Sequence, residues 1–246
     1  MIRTEHPSAA PELRYLLYAP EGADVRADWP LAVFLHGSGE RGADLALAAK
    51  HGLPRWLEEG GEFDGYVLVP QCPKGRQWED VLDGLDAMVE RVAGENPVAA
   101  DRILLTGFSM GGYGGWSWAL RDPARFAAFA PVAGSRLPGP PDALRGLPIW
   151  IFHGAADTHV PVAGADECAA ALAKAGIPFG YTRYPDADHG STSRLAYADP
   201  ELRRWMGRHA APPPNLPVRG VDHRSGASGS PPRKSSRLRN AMDVDT

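Results

Sequence analysis

Seven short, nearly unbroken apolar runs constrain this chain most strongly: Leu13–Tyr18, Leu31–His36, Tyr66–Pro70, Ile103–Gly107, Phe126–Gly134, Pro148–Gly154 and Phe179–Pro185. A run this short and this apolar, closed by a turn signal, reads as a strand covered on both faces, which is the environment of a parallel sheet. Helical patterns lie between the runs. In Glu79–Ala93 the residues Val81, Leu82, Leu85, Met88, Val89 and Val92 share one face of a 3.6-residue period, and Met110–Leu120, Gly164–Ala175 and Pro200–His209 also read as helices. Such alternation implies right-handed crossovers and an α/β fold, a doubly wound, mostly parallel sheet with helices on both faces. Sites in open sheets of this kind form at the carboxyl ends of strands. The loops that follow the apolar runs are therefore where chemistry is expected.

The length of 246 residues, with 43% hydrophobic and 23% charged, leaves room for one such core and excludes collagen, a coiled coil or a disulfide scaffold. Lys and Arg total 26 against 30 Asp and Glu, so no global charge attracts nucleic acid or an acidic membrane, and neither is expected as a partner. The balance is uneven along the chain. Pro212–Thr246 carries six prolines and six positive against three negative charges, a net of +3 that leaves −7 on residues 1–211. The expected division is an α/β domain over 1–211 and a disordered basic tail over 212–246, because the tail buries too little apolar surface to offset its ordering entropy. Its Pro231–Arg239 stretch, PPRKSSRLR, reads first as a solvated linker and second as a nuclear import or phosphate-binding patch. Cys72 and Cys168 match no metal or redox spacing and read as free thiols. The N-terminus lacks the pattern of a secretory signal, and no run nears the ~20 apolar residues of a membrane span. A cytoplasmic protein is expected, with nuclear entry through the tail as the variant.

Directly after Ile103–Thr106 comes G-x-S-x-G, as Gly107, Phe108, Ser109, Met110 and Gly111. Between a buried strand and a glycine-rich helix start, this motif marks a sharp turn that exposes the Ser109 hydroxyl, with Gly107 and Gly111 removing Cβ clashes. A serine hydroxyl needs a base, usually a histidine oriented by a carboxylate. Asp157 lies in the loop after Pro148–Gly154 and His189 in the loop after Phe179–Pro185. The order Ser, Asp, His, each just past a strand, nominates Ser109, Asp157 and His189 as the catalytic set. His159 is the rival base, and Asp186 and Asp188 are rival acids better suited to shaping the loop around His189. His36 and His153 end buried strands and read as packed structural residues. For an oxyanion, the Met110 amide at the helix start is one donor, and the loop His36–Gly42 supplies the second, Ser38 before Gly39.

These blocks together, FLHGSGERG, VPQCP with Trp78 after it, LTGFSMGGYGGW, FHGAADTHVP and YPDADHG, resemble the dienelactone hydrolase-like and carboxylesterase-like branch of the α/β-hydrolases, including its prolyl-oligopeptidase-like peptidases. The resemblance spans roughly Leu31–Gly190. It implies hydrolysis of a small-molecule ester or amide by a serine nucleophile without metal or organic cofactor, and it carries over Ser109, Asp157 and His189 with Met110 and the HGSG loop. Dienelactone hydrolases proper use cysteine where Ser109 stands, so dienelactone itself is not the expected substrate. Peptidase relatives carry a β-propeller that does not fit this length, which favours esters over peptides. Only the 14 residues Gly134–Leu147 join two successive apolar runs, too few for a large cap, so an open, shallow site is expected. Trp78, Tyr113 and Arg41, with Arg136, are candidates for its substrate-binding rim. An acyltransferase, a peptidase and a non-catalytic binding protein are the alternative functions, separable by product analysis with acceptor alcohols and by an ester panel.

Overall fold

A computed structural model describes residues 1–7 and 13–210. The expected tail, 212–246, and the boundary at 211 lie outside the described residues. Eight strands form one sheet: β1 (Ile2–His6), β2 (Arg14–Ala19), β3 (Trp29–Leu35), β4 (Tyr66–Gln71), β5 (Val98–Phe108), β6 (Ala128–Val132), β7 (Ile149–Gly154) and β8 (Phe179–Tyr184). Their order is β1-β2-β4-β3-β5-β6-β7-β8. The first two strands pair antiparallel, as do β2 and β4, and every later pairing is parallel. The α/β expectation of a mostly parallel sheet is met.

The apolar runs are unbroken because both faces of the sheet are covered. Along β3, Leu31, Val33 and Leu35 pack on one side with Leu85, Met88, Val89 and Val92 of α3 (Leu82–Glu95), Trp116 and Trp118 of α4 (Met110–Arg121), and Leu172 of α5 (Ala163–Lys174). Ala32 and Phe34 point the other way, into α1 (Leu45–Ala48), α2 (Gly52–Glu58), α6 (His189–Ala198) and α7 (Pro200–Ala210). The side-chain period of two in a strand produces this division. Each Leu, Val or Phe so buried contributes roughly 1.5–3 kcal/mol.

Three expectations change. β1 carries no apolar run, since its IRTEH sequence is almost wholly exposed and lies at the sheet edge, where one neighbour and backbone hydrogen bonds suffice. The helix expected from Glu79 begins as a 3-10 turn over Trp78–Val81, because a capping box between Gln77 and Asp80 starts it there. Finally, α6 begins at His189 itself, in what reads as the loop after Phe179–Pro185, and runs on through Gly190–Ser193. The Asp188 carboxylate caps it by accepting the Ser191 N–H at 2.7 Å. Between β6 and β7 only a four-residue 3-10 turn, Pro141–Leu144, interrupts the connection, so no cap domain is inserted there. No helix of the described residues is long and apolar enough to cross a membrane.

Candidate active site

The turn from β5 into α4 places Ser109 at φ 57° and ψ −117°. A side chain held at positive φ stores about 1–3 kcal/mol of strain, which the surroundings must over-determine. They do: the Ser109 N–H donates to Val132 O at 2.9 Å, and its carbonyl accepts from the Gly112 and Tyr113 amides at 2.9 and 3.2 Å. The glycine positions of the motif follow from close packing. A Cβ on Gly111 would collide with the Leu35 carbonyl, and one on Gly107 with the Gly111 carbonyl.

Two later strands deliver the partners. His189 is the first residue of α6 and is fixed by the Asp188 cap. Its Nε2 lies 2.9 Å from Ser109 Oγ, and its Nδ1 lies 2.7 Å from Asp157 Oδ2. The Asp157 side chain, wholly buried after β7, also accepts the His159 and Val160 amides on Oδ1, both at 2.9 Å. Those bonds use Oδ1 for the backbone and leave Oδ2 for histidine, so the imidazole donates from Nδ1 and accepts the serine proton at Nε2. The Phe108 ring, 4.7 Å away, and the His159 ring, 5.6 Å away and stacked, flank His189.

The rivals have other work. The Asp188 carboxylate is held below its usual range by hydrogen bonds from Ser191, consistent with its role as helix cap. Asp186 is exposed, and His159 lines the cleft mouth while giving its amide to Asp157. Burial pushes His153 towards its neutral form; its Nε2 donates to Val160 O at 2.9 Å and stands 3.5 Å from Asp157 Oδ2, bracing the carboxylate from behind.

The expected oxyanion donors lie on two turns. Met110 is the first residue of α4, so its N–H has no intrahelical acceptor, and the helix dipole adds to its field. A 3-10 turn, Ser38–Glu40, follows β3; its own bond runs from Glu40 N–H to Gly37 O, which leaves the exposed Ser38 and Gly39 amides over. A Cβ on Gly37 would sit 3.5 Å from the Ser109 Cβ, so this turn abuts the serine.

Trp78 corrects an expectation. It is fully buried, with Nε1 donating to His36 O at 2.9 Å, and cannot reach a substrate; it props the turn from beneath because the capping box draws it inward. Arg41 likewise straps the turn, donating to Ser38 O at 2.9 Å and Arg76 O at 3.1 Å. His36 completes the support: Nδ1–H donates to Gly37 O at 2.7 Å and Nε2 accepts the Cys72 amide at 3.0 Å, a neutral tautomer that burial reinforces by pushing its pKa down to about 4. Tyr113 is half-buried under the Arg136 guanidinium, 5.3 Å from its ring centre. Cys72 and Cys168 are free and buried, with thiol pKa values pushed up to about 12 and about 11 by burial, which makes them poor nucleophiles.

An open cleft of about 420 Å³ lies beside His189, lined by His51, Arg55, Thr158, His159, Gly190 and Arg194 among others. Sequence reading missed most of this wall. Asp188 with Ser191 three residues on was the cap signature that would have revealed α6 and hence Arg194. A larger hollow of about 550 Å³ between α3 and the start of β5 holds no nucleophile or histidine.

Comparison with known proteins agrees with this architecture. A bifunctional acetylxylan esterase/xylanase of Neocallimastix patriciarum is 28% identical over 147 residues, which cover 57% of this chain and 21% of that protein. This chain thus spans about a fifth of that relative's length. The crystal structure of a thermostable esterase superposes with a TM-score of 0.73 at 28% identity, over 84% of this chain and 62% of that one. A ferulic acid esterase of Anaeromyces mucronatus shares the fold at a TM-score of 0.63 and 15% identity, covering 85% of this chain and 90% of that one. Residues 68–201 match the dienelactone hydrolase family. With more than half of its residues inside that match, the chain belongs to the dienelactone hydrolase family.

Proposed function

We propose that the chain hydrolyses carboxylic ester bonds of small soluble substrates through an acyl-enzyme on Ser109. The observation that carries this reading is the hydrogen-bonded series from Ser109 Oγ through His189 to Asp157, at 2.9 and 2.7 Å, on a serine at positive φ. His189 Nε2 takes the hydroxyl proton as Oγ bonds to the acyl carbon. Asp157 holds the imidazolium that forms. The carbonyl oxygen becomes an oxyanion facing the Met110 amide and the Ser38 or Gly39 amide, where each donor is worth about 10²–10³ in turnover. The C–O bond to the alcohol then breaks as His189 returns its proton to the leaving oxygen. Water, deprotonated by the same histidine, releases the acid and restores Ser109.

The open strand ends and the 420 Å³ cleft favour small acyl groups over long chains. The acetyl and feruloyl esters named for its relatives head the candidates. The test is an ester panel graded by acyl length, with aryl and acetylated-sugar leaving groups, assayed on the wild type and Ser109→Ala. Acetyl-ester turnover should fall by at least about 10⁴ in the variant. Unchanged turnover would overturn the assignment.

A further inference from the structure

A second imidazole stands behind the acid. His153 lies at the end of β7, and its side chain and that of Asp157 are both wholly buried. Its Nε2 is 2.9 Å from Val160 O and 3.5 Å from Asp157 Oδ2, so Nε2 carries the proton, while Nδ1 has no hydrogen-bond partner. Burial pushes the ring towards this neutral form. Packing alone gives no reason for histidine here, since an apolar side chain of similar size would fill the space without orphaning a nitrogen. What histidine adds is one N–H, and its acceptor lies in the loop of the acid.

That loop is tied at both ends. Ala155 and Ala156 donate to the Tyr184 and Ala187 carbonyls at 2.8 and 3.2 Å, which seats the start of the loop against the segment leading into His189. A Cβ on Gly154 would collide with the Ala187 carbonyl and Thr192 Oγ1, so the two segments are in direct contact. At the far end Val160 is held twice: its amide donates to Asp157 Oδ1 at 2.9 Å, and its carbonyl accepts from His153. The acid, Val160 and His153 thus close a circuit, with His153 Nε2 facing Oδ2. Asp157 Oδ1 takes its second amide from His159, also at 2.9 Å. The plane of the carboxylate therefore follows the backbone at 159–160, and His153 is the side chain that anchors this backbone from the strand.

We propose that His153 is a positioning residue for acyl transfer: by anchoring Val160 it holds the Asp157 carboxylate in the plane that keeps Oδ2 on His189 Nδ1. The proposal rests on the serine-esterase reading above. His153 touches no substrate and exchanges no proton, because protons move only among Ser109 Oγ, His189 Nε2, the leaving oxygen and water. Without the His153 N–H the Val160 carbonyl is released, and the amides on Oδ1 move with the loop. The carboxylate then turns, and its 2.7 Å bond to His189 lengthens. A misplacement of about 1 Å, even remote from the reacting atoms, can cost about 10²-fold in rate.

The test compares His153→Leu, which keeps most of the volume without an N–H, with His153→Gln, whose amide nitrogen takes the place of Nε2. For each, kcat and KM on an acetyl ester are measured together with the low-field proton NMR signal of His189 Nδ1–H, assigned by its loss in His189→Gln. In His153→Leu kcat should fall about ten- to a hundredfold with KM unchanged, and the signal should move upfield or broaden away. His153→Gln should return both towards the wild type. A folded His153→Leu with wild-type kcat and an unmoved signal overturns the proposal and leaves Ser109 in place. Equal losses in the two variants assign His153 to packing and overturn it as well. A wild type that hydrolyses no ester and takes no fluorophosphonate label overturns the serine reading, and this inference with it. Should His153→Leu not fold, His153→Asn replaces it with the same outcomes, since its amide ends one atom short of Nε2.

Discussion

Asp157 and Glu40 are both buried carboxyl groups, and the protein furnishes them in contrasting ways. After β7, Asp157 accepts two backbone amides and the His189 Nδ1–H, with His153 Nε2 packed 3.5 Å from Oδ2, so its orientation is fixed. After β3, Glu40 has no hydrogen-bond partner on Oε2, and Lys50 with the Gly37 and Glu40 amides only partly offsets the burial that pushes its carboxyl up. A hydrogen-bonded carboxylate dictates a tautomer and a ring angle, which an unbonded one cannot do. The same contrast runs through the two loops: that of Asp157 aims side chains, while that of Glu40 is strapped by Arg41, His36 and Trp78 to aim main-chain amides.

The contrast can be broken at three strengths. Asp157→Asn keeps the shape but reverses the tautomer that His189 must adopt, so kcat should fall about 10⁴-fold with KM little changed; a loss under tenfold in steady-state assays would put the two carboxyl groups on an equal footing. Next is acid stability. The buried neutral His36 has its pKa pushed down to about 4, so below its ordinary value near 6.5 the unfolded chain binds the extra proton. Stability should be whole above pH 6.5 and fall by up to about 3 kcal/mol as pH drops toward 4. Urea midpoints at neutral pH and near pH 4.5 measure this, and His36→Asn should flatten the difference; an equal slope in both proteins would exclude His36 as the cause. Smallest is Arg41→Ala, which frees the Ser38 and Arg76 carbonyls and should lower kcat only about two- to fivefold and stability by about 1 kcal/mol. Thermal melts and ester turnover read both, and a loss matching Asp157→Asn would mean that Arg41 does more than strap the turn.

Much of the fold could be read from the residues because a sheet buried on both faces leaves apolar runs that few other environments require. The β3 to β8 runs and the α3, α4, α5 and α7 patterns were legible for that reason. The edge strand β1 was not, since its backbone pairing leaves no trace in side chains that stay in water. That the side chains of Ser109, Asp157 and His189 meet was legible because each lies just past a strand, at one end of the sheet. Trp78 was misassigned: an aromatic near a loop end can line a rim or prop it, and only the Gln77–Asp80 box, which turns its indole towards His36 O, separates the two. The cleft wall on α6 was hidden by Gly190–Ser193, whose helix rests on the Asp188 cap and on Ala196 and Tyr197 packing below, not on propensity. The burial of Glu40 has no signature in its motif, because it arises where α1 packs on its turn and Gln71 of β4 donates to its carbonyl.

The central claim is that Ser109, activated by His189, is the acyl acceptor. Intact-mass and peptide mapping of the fluorophosphonate adduct tests it most directly. One adduct per chain is expected on the peptide holding Ser109, absent from Ser109→Ala and slowed by at least about 10³ in His189→Gln. An adduct on any other residue, or equal labelling of the Ser109→Ala protein, would contradict it.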